Sequence, residues 1–168
     1  MKLERKNGVP LHDPLEMMKC PLGVRPGSDD GYFKEMTRAV FRSGFSWKVI
    51  DNKWPEFRSA FADFSIGAVS EYDDPDIDRL MENRGIVRNY RKVLAAIKNA
   101  RELLSIRREY GSFAGYLGEI GRNGEEELCK ALSKRFSHLG KSTSFFFLRS
   151  VGEEMPETSR KWVDEHTM

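Results

Sequence analysis

Cysteine is scarce. The 168 residues hold two, Cys20 and Cys129, with no CxxC pair and no histidine nearby at ligand spacing. That excludes a disulfide scaffold, suits reduced thiols, and leads to the expectation of no bound metal, zinc included, and no cofactor. Long apolar runs are also missing. The opening Lys2, Glu4, Arg5 and Lys6 are followed by no stretch fit for a signal-peptide core or a membrane span, so a cytoplasmic location is expected, at the nucleoid if the source is bacterial. Net charge is only +2, which removes any global argument for a polyanionic partner. No segment shows strand alternation, and there are neither internal repeats nor long low-complexity tracts. A phosphate loop of the GxxxxGKS type and an HExxH pair are absent, and Cys129 and His138 fall on separate predicted elements, so the common nucleotide, metalloprotease and Cys-His chemistries lack support.

What the chain does contain is helical periodicity, and the expected fold class is all-α. The length fits one domain able to bury a core without disulfides or metal. Residues 1–30 read as an irregular arm with Pro10, Pro14, Pro21 and Pro26, residues 31–152 as a helical domain, and 153–168 as a polar tail. In the first helix Phe33, Met36, Val40 and Phe41 recur at three- and four-residue steps, with Asp29 or Asp30 as its cap. "GFSWKVIDNKWPEFRSAFADF" suggests a helix and then a second one started by Pro55. Ser65 caps a short helix, and "DPDIDRLMEN" one with Asp74 as N-cap. A long helix ends at Gly111, Ser112 caps its successor, and two further helices end near Gly152.

The charge is segregated even though it nearly cancels. From Glu71 to Glu82 six acids face Arg79 alone, whereas from Arg84 to Arg108 eight basic residues face only Glu102. Between the two runs, "NRGIVRNYRK" bends at Gly85. Two helices meeting across such a turn direct backbone N–H groups and a helix N-terminus the same way, a geometry that accepts phosphate oxygens. Arg84, Arg88, Arg91 and Lys92 are placed to add contacts to a nucleic-acid backbone. A solvated basic face on a long helix is the competing explanation, and charge alone does not separate the two.

"RAVFRSGFSWKVIDNKWPEFRSAFADF", "DIDRLMENRGIVRNYRKVLAAIKNAREL", "GSFAGYL" and "ALSKRFSHLGKSTSFFFLRSVG" resemble, in order and spacing, segments of the DNA-3-methyladenine glycosylase I family. The similarity runs from about Tyr32 to Gly152, and "SGFSW" and "GIVRNYRK" are its most specific parts. The resemblance implies a helix-hairpin-helix glycosylase fold. It implies a monofunctional base-excision repair enzyme acting on double-stranded DNA with alkylated bases, as a monomer. A base inside a duplex is out of reach, so it is turned out into a pocket. By resemblance Trp47 is the stacking surface of that pocket. Gly44, Phe45 and Ser46 form the loop that enters the duplex, with Phe45 in place of the family's usual leucine, and the hairpin holds the strand.

The match departs in two places. The family's glutamate, eight residues before the tryptophan, is Ala39 here, and Glu35, one turn earlier on the same face, is the candidate catalytic carboxylate. The family's N-terminal Cys, Tyr-His and Trp-Gly elements are missing, with "GVPLHDP" as a displaced fragment, and His166 in the tail has no cysteine after it. Three readings remain. They are a glycosylase for 3-methyladenine or another alkylated purine, an inactive module binding damaged DNA or DNA structure, and a helical protein whose basic helix meets an acidic partner.

Overall fold

Phe33, Met36, Val40 and Phe41, the apolar stripe of the first helix, are all fully buried in α1 (Asp29–Arg42). The computed structural model describes residues 22–153, and among them it has eight α-helices, one 3₁₀ turn and no strand. The remaining helices are α2 (Trp47–Ala60), α3 (Ile66–Ser70), α4 (Asp74–Glu82), α5 (Tyr90–Tyr110), α6 (Phe113–Gly121), α7 (Glu125–Arg135) and α8 (Lys141–Ser150). Expectations about residues 1–21 and 154–168, including Cys20, the "GVPLHDP" segment and His166, lie outside the described residues.

The long α5 is central, packing against α1, α3, α4 and α6, while α8 closes the far side of α1 and meets α7. Its inward stripe of Val93, Ala96, Ile97, Ala100 and Leu103 uses small residues where neighbours come close. Beside it, Phe41, Phe57, Phe61 and Phe64 form an aromatic cluster with the Trp54 ring stacked on Phe64 at 4.9 Å. Each such buried phenyl contributes about 1.5–3 kcal/mol relative to exposure. Asn99, buried in α5, exchanges two hydrogen bonds with Ser137, accepting from its N–H at 2.8 Å and donating to its carbonyl at 3.0 Å, which pins the turn between α7 and α8.

Three local expectations are corrected. Ser28, not Asp29 or Asp30, caps α1, its hydroxyl accepting from the Gly31 N–H at 3.2 Å. The two aspartates cap other helices instead. Asp29 accepts from the Phe113 N–H at 2.9 Å, at the start of α6, and Asp30 from the Ile66 N–H at 2.9 Å, at the start of α3. The cap of α4 is Asp73, which forms a reciprocal box with Asp76, whereas Asp74 has no acid three residues on to return the bond. Finally, α2 runs through Pro55 as one helix. The Asp51 carbonyl thereby loses its in-helix donor. Asp51 and Pro55 are both exposed, so water can serve that carbonyl, while buried Ile50 and Phe57 anchor the helix on either side.

Candidate functional site

The helix α1 stops at Arg42 because Ser43 leaves helical geometry, and Gly44 follows with φ +66°, a left-handed conformation open to glycine. Ser46 then starts α2, accepting from the Val49 N–H at 3.4 Å. Ser43 and Gly44 are exposed, and Phe45 is half-buried against the core. The loop ends at Trp47, also half-buried, whose ring meets Phe146 of α8 edge-on at 5.7 Å. The guanidinium of Arg42 lies over the Trp47 ring, 4.7 Å from its centroid, and is ion-paired to Asp51 one turn further along α2. Nothing in the spacing of Arg42 distinguished it in advance.

The hairpin expected at Arg84 to Lys92 is present, joining α4 to α5. Asn83 accepts from the Gly85 N–H at 2.8 Å through its side chain, and Ile86 is buried beneath the turn. Gly85 is not among the positive-φ glycines, so its backbone does not require glycine, and only side chains stand close to it. A Cβ would lie 2.9 Å from Glu56 of α2. Lys53 of α2 donates to the Arg84 carbonyl at 3.2 Å, and Asn89 caps α5 by accepting from the Lys92 N–H at 3.1 Å. Arg84, Arg88 and Arg91 are exposed. Tyr90, between the last two, is 53% exposed, an outward aromatic that sequence periodicity did not single out.

Lys92 departs from its expected place among the outward cations. Its side chain turns inward, leaving the residue 8% exposed, and Nζ donates to the carbonyls of Phe41 at 3.0 Å and Ser43 at 2.6 Å. Burial pulls the ammonium down to about 8.

Ala39 and Glu35 lie one turn apart on α1, both half-buried. The Glu35 carboxylate is 3.4 Å from the Arg38 guanidinium, which stacks over Trp54 at 4.4 Å. Glu35, Arg38 and Arg42 line an open cavity of about 500 Å³ bounded on its other side by Gly23 to Gly27 and Ser150. The Nε atoms of Arg38 and Arg42 and Nε1 of Trp54 have no hydrogen-bond partner among the described residues. Cys129 is buried and its thiol is pushed up to about 11, which makes it a poor nucleophile. Among the described residues no group of three or more His, Cys, Asp or Glu side chains is placed to hold a metal ion, and no helix is long and apolar enough to cross a membrane.

A family model described as methyladenine glycosylase matches residues 22–127, a span that includes both the loop before Trp47 and the hairpin. The DNA-3-methyladenine glycosylase of Haemophilus influenzae is 26% identical over 130 residues, 66% of this chain and 70% of that protein. DNA-3-methyladenine glycosylase 1 of Escherichia coli is 27% identical over 130 residues, with the same shares covered. Among solved structures, a single-substitution variant of 3-methyladenine DNA glycosylase I in complex with 3-methyladenine superposes with a TM-score of 0.71 at 27% identity, covering 89% of this chain and 88% of that one. With the family match spanning more than half of its length, the chain belongs to the methyladenine glycosylase family.

Proposed function

We propose that this protein is a DNA glycosylase of base excision repair that hydrolyses the N-glycosidic bond of 3-methyladenine, or of another alkylated purine, after turning the base out of duplex DNA. The observation that carries the reading is the direct bridge between the two parts such an enzyme needs. Nζ of Lys92, in the first turn behind the hairpin, reaches the Ser43 carbonyl at 2.6 Å, so the hairpin helix and the base of the loop adjoin, which supports their acting together on one duplex. The named relatives act on 3-methyladenine, and the family match covers both parts.

In this reading Arg84, Arg88 and Arg91, set on and beside the turn at Gly85, hold the phosphates of the strand. Gly44, Phe45 and Ser46 enter the gap, Phe45 as the apolar wedge, and the extruded base stacks at Trp47 above Ala39. The C1′ bond breaks with its electron pair passing to the base. A 3-methylated adenine is cationic and leaves neutral, so it departs easily; water gives hydroxide to C1′ and its proton to solvent. Extrusion and orientation then supply much of the acceleration without the carboxylate that Ala39 replaces. Glu35 is the nearest substitute on that face, and to reach the base its carboxylate must first leave Arg38. The functional unit is the helical domain 31–152 of a single chain, acting as a monomer wherever the cell keeps its DNA, in the bacterial case the nucleoid.

The test is mass spectrometry of free bases released from methylated duplex DNA by the wild type and by Trp47→Ala. Release of 3-methyladenine that falls by two orders of magnitude or more in the variant is expected, as loss of both stacking and orientation. If the wild type binds DNA and releases no base, the catalytic reading is wrong. Ala39 would then mark a protein that binds damaged DNA and leaves it uncut.

A further inference from the structure

Lys92 is the only one of the four hairpin cations expected to face DNA that is buried instead. It stands in the first turn of α5, immediately behind the exposed Arg88 and Arg91, and its side chain crosses to the end of α1. There it donates to two carbonyls that the helix end leaves without in-helix donors, where a cation also meets the negative end of the α1 dipole. One of those carbonyls belongs to Ser43, whose next neighbour is the left-handed Gly44. The Ser43 hydroxyl is itself held from α8, accepting from Thr143 at 3.4 Å. The base of the loop is thus tied to the helix that carries the hairpin, and the Phe45 N–H returns to the Arg42 carbonyl at 3.1 Å.

We propose that Lys92 is a positioning residue that ties the loop 43–46 to the start of α5, so that docking of the hairpin on phosphate fixes the depth at which the loop enters the duplex. The inference rests on the reading of the protein as a base-extruding enzyme, but it concerns loop insertion and not bond cleavage. Losing hydrogen bonds from a charged donor is enough to change the ratio of inserted to withdrawn loop about tenfold. Direct contact with phosphate is a different role, and one that the inward side chain does not fit.

The experiment uses a duplex carrying 2-aminopurine opposite a stable abasic site, which brightens when a residue fills the gap and unstacks the probe. At saturating full-length wild type the probe should brighten. With Lys92→Met, also saturated, the ratio of inserted to withdrawn loop should fall about tenfold, and the signal with it, while the dissociation constant for the same duplex changes less, and Lys92→Arg should recover part of the signal. An equal signal from Lys92→Met and wild type overturns the proposal, and so does a wild type that binds without brightening. If Lys92→Met does not fold, the wild type decides by pH. Burial holds Lys92 near 8, so the signal at saturation should decline as pH rises through that value, and a flat profile from 7 to 9.5 sinks the idea. The groups around Lys92 do not mimic this. His138, from the α7–α8 connection, is held below its ordinary value by burial and by Lys92 and Arg91, and is neutral in that window. Arg42 is engaged by Asp51. Because the signal is independent of base release, a wild type that inserts its loop and frees no base would refute the glycosylase reading and leave this one standing.

Discussion

A guanidinium lying on an indole is attracted by the ring's quadrupole, and Arg42 has that attraction together with the Asp51 carboxylate to hold it over Trp47. If Trp47 receives a cationic purine, as proposed above, this is an awkward neighbour. At 4 Å two like charges repel by about 1 kcal/mol in water and about 4 kcal/mol near a protein surface. The family resemblance implies a carboxylate at the position of Ala39, so on the proposed reading this chain lacks an attraction there and has a cation nearby, offset in part by Asp51. Arg42→Gln removes the cation and leaves Asp51 behind. It is expected to raise kcat/KM for 3-methyladenine release roughly fivefold or more. Single-turnover kinetics on methylated duplex would show it, and a slower variant would mean that Arg42 assists the base instead of opposing it.

At the scale of the element, the least conventional piece is the turn after α2. Ala62, Asp63 and Phe64 all have positive φ, between 50° and 58°, without a glycine among them. Each left-handed L-residue costs about 1–2 kcal/mol. The turn persists because Phe64 is buried in the aromatic cluster and α3 must begin where Asp30 can cap it, and the exposed Arg58–Asp63 pair adds little. Ala62→Gly relieves one such residue. We expect a gain of about 1 kcal/mol, read as a rise of roughly 2–4 °C in Tm. A lower Tm would show that the entropy of the unfolded glycine chain outweighs the strain. No sequence pattern announced this turn, since it is a response to packing. The helices on either side were legible, because their apolar residues repeat at the helical period.

For the whole molecule, the surface proposed to meet DNA is the one around Arg84, Arg88 and Arg91, opposite in sign to the acidic helix α4 that precedes it. If these side chains neutralise phosphates, binding to duplex DNA must weaken with salt, and each arginine replaced by alanine should lower the magnitude of the slope of log K against log salt by about 0.9. Lys92→Met should leave that slope unchanged, since its ammonium faces carbonyls of its own chain. A titration over several salt concentrations separates the two classes of cation. An equal loss of slope for Lys92→Met would place its side chain on DNA in the complex.

The sequence by itself determined the helices, most of their ends and the two stretches, "SGFSW" and "GIVRNYRK", that carry the family resemblance. These are properties of near neighbours in the chain. Periodicity buries a stripe, a hydroxyl three residues ahead satisfies an N–H, and a glycine permits a turn. Only the tertiary structure decided that Asp29 and Asp30 cap α6 and α3 rather than their own helix, across 84 and 36 residues. It alone turned Lys92 inward to the end of α1, and kept α2 whole through Pro55. In each case a buried polar group or an anchored apolar face found its partner in another element, and such partners are chosen by which surfaces meet when the core closes.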